Sequence, residues 1–150
     1  MVRHKNRYMI IEINQGAKKD SYALQLKPPS LHYSIMSMVQ QLHGDFGVAA
    51  IMAGFTAKYC NEKTRIAIIR CRHGPHRLVA SSLPCIKFIE NKPVNINTLY
   101  IGATIKHCFK FIKNYQQRKF EEYCVGLKND EEKEALKKAL MNLDPILSIH

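Results

Sequence analysis

Apolar positions along this chain recur at a spacing of two in some stretches and of about 3.6 in others, and the changes of period mark its elements. Tyr8-Met9-Ile10-Ile11-Glu12-Ile13 is an apolar, β-branched run that stops at Asn14-Gln15-Gly16, which predicts a first strand. A polar loop follows. Pro28-Pro29-Ser30 then predicts a helix start with Ser30 as its cap; Leu31, Ile35, Met38, Val39 and Leu42 share one helical face, and Gly44 is the expected stop. Gly47 to Tyr59 and Thr64 to Cys71 read as two strands joined by Cys60-Asn61-Glu62-Lys63, a loop of hairpin length, and are expected to pair antiparallel. Gly74-Pro75 opens a second helix bearing Leu78, Val79, Leu83 and Ile86, which Pro84 should bend or end early. After Asn91-Lys92-Pro93, Val94 to Ile101 is a fourth strand, and a long amphipathic helix runs from Thr104 to about Tyr123. A last helix is expected from about Asp130 to Leu143, capped by Asn129, with Asp130, Glu131 and Glu132 in its first turn.

The order β-α-β-β-α-β-α is the split β-α-β arrangement: an α+β, ferredoxin-like sandwich of a four-stranded antiparallel sheet with two helices on one face, and additional helices at the C-terminal end. A length of 150 residues with 46% hydrophobic content suits one domain. Residues 1–125 are assigned to it, and 126–150 to a helical extension packed on it or trailing from it. The longest apolar run, Val48 to Ala53, has six residues, far short of a spanning helix, and Met9 to Ile13 is too brief for a signal-peptide core. Neither export nor a membrane partner is expected. Five cysteines, Cys60, Cys71, Cys85, Cys108 and Cys124, are widely spaced without a CxxC pair; they read as reduced core thiols in a reducing compartment.

Charge adds a signal that periodicity does not carry. The first 119 residues hold 19 Lys and Arg against five acids, whereas residues 120–150 hold four bases against seven acids. A basic field of that kind concentrates polyanions, so nucleic acid or an anionic membrane is the first partner suggested, although charge alone is equally met on surfaces that are only solvated. The helix from Thr104 sharpens the case: Ile105, Cys108, Phe109 and Ile112 form one face and Lys106, Lys110 and Lys113 another, with Arg118 and Lys119 beyond. Between Thr104 and Lys119 there are five bases and no acid, so the stripe has no i,i+4 partners of its own and suggests phosphate. Arg3, Lys5 and Arg7 alternate along the N-terminal arm, and Arg70 and Arg72 alternate at the end of the third strand.

Protein-based catalysis finds little support. His73 and His76 form an HxxH in a Gly-Pro turn with no third ligand nearby, Ser81-Ser82 lacks a GxSxG elbow, Asp45, Glu62 and Glu90 form no pair, and no GxxxxGK is present. His43-Gly44-Asp45-Phe46-Gly47 reads as a helix stop and turn. The fold order invites comparison with the RRM, but Gly54-Phe55-Thr56-Ala57-Lys58-Tyr59 does not fit its RNP1 pattern and the third strand has no aromatic residue. Any RNA contact is therefore expected from the arm and the basic helix.

Val2-Arg3, Lys5-Asn6-Arg7-Tyr8, His43-Gly44-x-Phe46-Gly47, Lys58-Tyr59-x-Asn61, Arg70-Cys71-Arg72, Leu83-Pro84 and Asn97-Thr98-Leu99-x-x-Gly102-x-Thr104-Ile105 stand in this order along the chain. This ordered set resembles the Pop-five-type protein subunit of ribonuclease P and ribonuclease MRP, in its eukaryotic form, from the N-terminus to about Tyr123. The resemblance implies an RRM-like sandwich whose appended helices partly occlude the sheet. It also implies a noncatalytic subunit that supports the RNA of a nuclear and nucleolar ribonucleoprotein. That RNA, with Mg²⁺, removes the 5′ leader of precursor tRNA; the related particle processes ribosomal RNA. No cofactor is expected on the protein itself. Implied partners are the ribonuclease P and MRP RNAs, precursor tRNA and an Rpp-thirty-type subunit. The RNA-binding residues expected are Arg3, Lys5, Arg7, Arg70, Arg72, Lys106, Lys110, Lys113 and Arg118. Two other classes stand beside this one: a free-standing ferredoxin-like regulatory or scaffolding domain that binds a small ligand or protein, and, less supported, a metal-dependent nuclease acting alone.

Overall fold

Three consecutive side chains of the first strand, Met9, Ile10 and Ile11, are all completely buried, which requires that both faces of the sheet be covered. The computed structural model describes residues 3–16, 25–126 and 129–141. Its elements are strand β1 (Asn6–Gln15), helix α1 (Pro28–Met52), β2 (Thr56–Asn61), β3 (Ile66–Arg72), α2 (His76–Ser82), a 3₁₀ turn (Leu83–Cys85), β4 (Phe88–Ile89), β5 (Lys92–Gly102), α3 (Ile105–Cys124) and α4 (Asp130–Met141). The sheet is antiparallel in the order β2-β3-β1-β5-β4. With β5 as the fourth long strand, this is the expected split β-α-β topology.

Alternation along the strands divides the core in two. Met9, Ile11, Ile13, Ala67, Ile69, Cys71, Val94 and Ile96 face α1 and α2 and pack on Leu31, Ile35, Val39, Val79 and Leu83. Ile10, Ile66 and Ile68 point the other way and lie beneath Cys108 and Ile112 of α3. A bulge brings β5 into this second layer. Ile10 pairs with Tyr100 but Ile11 pairs with Thr98, so Leu99 is an extra residue, and both Leu99 and Tyr100 reach the α3 side. Gly102 then lets α3 approach: a Cβ there would lie 2.8 Å from Tyr100 Cε1 and 3.0 Å from Cys108 Sγ. Thr104 caps α3, its side chain accepting a hydrogen bond from the His107 backbone N–H.

Several expectations are corrected. The first helix does not stop at Gly44. That residue has φ 66° and ψ −164° and kinks α1, which resumes and runs to Met52. The apolar run Val48–Ala53 is thus largely helical, in keeping with its three alanines, and the break before β2 falls at Gly54 (φ 108°). Gly47 is required within the second half of α1, since a Cβ there would come within 2.5 Å of His43 Cβ. Lys27, not Ser30, is the N-cap of α1; Ser30 lies in the first turn and its hydroxyl bonds the Glu90 carboxylate. Pro84 does end α2 early, in the 3₁₀ turn. The stretch beyond it holds β4, which the apolar pattern does not predict and which pairs with the start of β5 across Glu90 and Asn91, both at positive φ. The thiols of Cys71 and Cys108 are buried, but Cys85 is exposed and so is no core thiol. Burial pushes the Cys71 thiol up to about 12 and that of Cys108 up to about 11, so both stay protonated and inert at neutral pH. The expected end of the last helix at Leu143 lies outside the described residues, as do Met1 and Val2.

Candidate nucleic-acid interface

Antiparallel pairing of β1 with β3 brings separate sequence signals to one end of the sheet. Asn6 is opposite Arg72, Arg7 opposite Cys71 and Tyr8 opposite Arg70, so the three arginines share one end of the sheet, Arg7 on the face of Cys71 toward α1 and α2, Arg70 and Arg72 on the face of Tyr8 toward α3. The arm is tied there too, because the His73 N–H donates to the Lys5 carbonyl at 2.8 Å; Arg3 and Lys5 are exposed just ahead of it. Tyr8 also pairs with Gly102, and its carbonyl accepts the Cys108 thiol at 3.8 Å, which brings the N-terminal end of α3 and Lys106 to the same end.

Lys106, Lys110 and Lys113 are all exposed on the side of α3 away from the sheet. At a rise of about 1.5 Å per residue, Lys110 and Lys113 lie roughly 6 and 10 Å along the axis from Lys106, and Arg118 roughly 18 Å. Arg7, Arg70, Arg72 and Lys106 thus lie toward one end of the sheet with Arg3 and Lys5 just ahead of β1, while Lys110, Lys113 and Arg118 follow along α3 as it runs toward Glu12. Among the described residues the ion pairs are Lys119–Glu122 at 3.5 Å and Lys133–Asp130 at 3.8 Å, so none of the nine has a carboxylate partner there. Arg70 carries a further mark: its Nε is buried without a hydrogen-bond partner, a donor left open on a half-buried side chain. The face that an RRM leaves open is here occupied by α3, which accounts for the absence of the RNP aromatics.

Sequence reasoning missed the share of α2 in this end of the sheet. His73 and His76 stack with ring centroids 5.3 Å apart, and His76 Nδ1 accepts the Gly74 N–H at 3.1 Å. Partial burial, then the neighbouring charges of His73, Arg7 and Arg77, hold the His76 imidazole below its ordinary value. Among the described residues no group of three His, Cys, Asp or Glu side chains is placed to hold a metal ion. A polyanion at this corner would offset the repulsion and raise the His76 pKa, so binding takes up a proton and affinity rises as pH falls through the region below about 6.5. Titrating RNA binding between neutral and mildly acid pH should show this gain, and His76→Asn should abolish most of it. An equal gain in the variant would remove His76 from the interface.

A second polar region starts near the middle of the sheet and follows α3 toward Glu12. Tyr100, Phe111 and Tyr115 stack in succession, with centroids 4.8 and 6.1 Å apart, and Lys119 Nζ sits 5.8 Å from the Tyr115 ring centroid. The Tyr115 hydroxyl donates to Glu12 at 3.0 Å, and Asn14 Nδ2 donates to the other Glu12 oxygen at 3.1 Å. Burial, and then this bond, push the Tyr115 hydroxyl up to about 12. A groove of about 870 Å³ runs between α1 and the β4 turn past Tyr33, Met38 and Phe88.

The sequence model of the Rpp14/Pop5 family matches residues 7–113. That span includes Arg7, Arg70, Arg72, Lys106, Lys110 and Lys113. The ribonuclease P/MRP protein subunit POP5 of Mus musculus is 35% identical over 145 residues, covering 93% of this chain and 84% of that protein. The Homo sapiens subunit of the same name is 35% identical over 144 residues, 93% of this chain and 87% of that one. The Schizosaccharomyces pombe subunit is 30% identical over 113 residues, 71% and 81% of the two chains. A chain in the cryo-EM structure of yeast ribonuclease MRP superposes with a TM-score of 0.54 at 12% identity, covering 85% of this chain and 99% of that chain, a likeness of fold.

Proposed function

The chain belongs to the Rpp14/Pop5 family, and from that premise we propose that it is a noncatalytic RNA-binding subunit of the ribonucleoprotein endoribonuclease P and of ribonuclease MRP. Relatives named as ribonuclease P/MRP subunits support this reading. The observation that carries it is the placement of Arg7, Arg70, Arg72 and Lys106 around one sheet end, without carboxylate partners among the described residues. Cations that fold together unpaired repel one another and weaken the free protein; a phosphate backbone removes that repulsion. Guanidinium groups also supply planar donors that a phosphate can accept from two at once.

In the assembled particle these cations neutralise phosphates where strands of the RNA come close, so that the RNA reaches its active geometry with less Mg²⁺. The metal chemistry belongs to the RNA, which cuts the 5′ leader from precursor tRNA; in the MRP particle the same protein supports ribosomal RNA processing. An Rpp-thirty-type subunit is the protein partner in this reading, and the nucleus and nucleolus are the site of action. Exposed apolar side chains on the second half of α1, Phe46 and Met52, give a protein partner something to cover, whereas Ile51 and Phe55 are used by the core.

The test is a reconstituted particle carrying Arg3→Ala and Lys5→Ala. Both residues are exposed and precede β1, so the fold is spared. Cleavage of precursor tRNA should require more Mg²⁺ and fall most at low Mg²⁺. Superimposable Mg²⁺ titrations of variant and parent would count against the arm as an RNA contact.

A further inference from the structure

The cleft at the opposite end of the sheet from the arginines has a volume of about 490 Å³ and lies between α3, the β2–β3 turn and the end of α4. Its floor is unusual. Gln116 is 2% exposed, its Oε1 is buried with no partner, and Thr64 Oγ1 beside it is likewise unpaired. A native core leaves few such atoms, because each costs the desolvation of the group. Glu12, held from both sides by Tyr115 and Asn14, adds a carboxylate. The Gln116 amide can turn end for end at little cost in packing, since its two ends are of similar size, and so can offer its oxygen in either direction. The floor is therefore rich in acceptors.

The mouth has the opposite character. Lys63 and Arg65 are exposed, have no ion-pair partner among the described residues, and sit on a turn fixed by Asn61 Oδ1, which accepts from the N–H groups of Lys63 and Thr64 at 2.9 and 3.3 Å. Arg65 is further held by its carbonyl, which accepts the Ile13 N–H at 2.8 Å. Lys119, shared with Glu122, stands across from them. Tyr123 forms a wall and is 56% exposed, leaving ring surface for stacking.

We propose that this cleft receives one unpaired nucleotide of RNA whose base carries an exocyclic amine. The amine donates its two hydrogens to the Gln116 and Glu12 oxygens, the base stacks on Tyr123, and its phosphates lie on Lys63, Arg65 and Lys119. A cationic side chain would suit the floor but not the positive mouth. The proposal rests on the RNA-binding reading and adds to it a second site that selects among bases.

The test uses the full chain with short single-stranded oligoadenylate, oligocytidylate and oligouridylate, followed by fluorescence anisotropy. Uracil lacks the amine. Oligoadenylate and oligocytidylate should bind roughly tenfold tighter than oligouridylate, the scale of one well-placed base contact. Gln116→Leu should bring them down to the oligouridylate level without lowering thermal stability, since it removes an unpaired buried polar group. Tyr123→Ala, at an exposed position, should weaken all three oligonucleotides by a similar factor through the missing stacking surface, and serves as the arm that does not disturb the core. Equal binding of all three, with structured RNA still bound at a normal salt dependence, overturns the cleft and leaves the RNA-binding reading standing. Gln116→Leu with undiminished base preference overturns it also. Preferential binding of N-acetylarginine amide would overturn it in favour of a basic side chain. Absence of binding to any RNA, structured or not, sinks both readings.

Discussion

Simultaneous replacement of Lys106, Lys110 and Lys113 by Gln is expected to weaken binding of structured RNA by roughly two to three orders of magnitude near 0.1 M salt while leaving the protein as stable as before. The three side chains are exposed and lie on the outer side of α3, and Gln and Lys have nearly equal helix propensity, so packing and secondary structure have no reason to respond. Electrostatics does. Each phosphate that is no longer neutralised should reduce the slope of log affinity against log salt by about 0.9 on a duplex or about 0.7 on a single strand. Three duplex phosphates therefore take roughly 2.7 from the slope. A correctly folded variant with the parent's slope would remove this face of α3 from the interface and leave the arm and the arginine corner alone.

The opposite result is expected from Ile112→Ala on the inner side of the same helix. Ile112 is fully buried against Ile10, Ile66 and Ile68, and its truncation should cost on the order of 2–5 kcal/mol of stability. Urea unfolding should show the midpoint falling with little change in slope, while the protein that remains folded keeps its RNA affinity and salt dependence. Phe109 is only half-buried, so the same truncation there removes less packing. If the Ile112 variant kept full stability, α3 would not be part of the core and the second face of the sheet would lack its cover.

Most of the fold was legible because the strongest signals are local. The alternating and continuous apolar runs of β1 and β3, the Thr104 cap and the Pro84 stop each act within a few residues. Four side chains in a row, Ile66 to Ile69, are buried, and such a run is what a strand covered on both faces looks like. What failed was also local but ambiguous. Val48 to Ala53 is too short for its period to separate strand from helix, and the alanines there, together with a glycine at 54 rather than 44 as the true break, were the better guide. The two-residue β4 leaves no periodic trace; the Glu90-Asn91 pair at positive φ was the available cue.

The interface was readable as a set of residues but not as an arrangement. Nothing near Arg7 announces that Cys71 will lie opposite it, because register is settled by the alternation of two strands far apart in sequence. The cleft residues show the same limit. Gln116 falls four positions after Ile112 on the buried stripe of α3, and a polar residue at such a position is a signal that sequence alone provides. Its lack of a partner emerges only when Glu12, Thr64 and Tyr115 are brought beside it.

Closure of the sheet by α3 also sets an order of events at the ribosome. Tyr8 and Cys108, which touch across that layer, are 100 positions apart. At translation rates of about 5–20 residues per second, the interval between their synthesis is roughly 5–20 s, whereas apolar collapse of a chain this size needs only about 10–100 μs. For those seconds the nascent chain can form the half-sandwich of β1 to β3 with α1 and α2, but Ile10, Ile66 and Ile68 have no cover of their own. The growing chain thus passes through a stage with a naked apolar sheet face, open to non-specific association until the last long helix has been made.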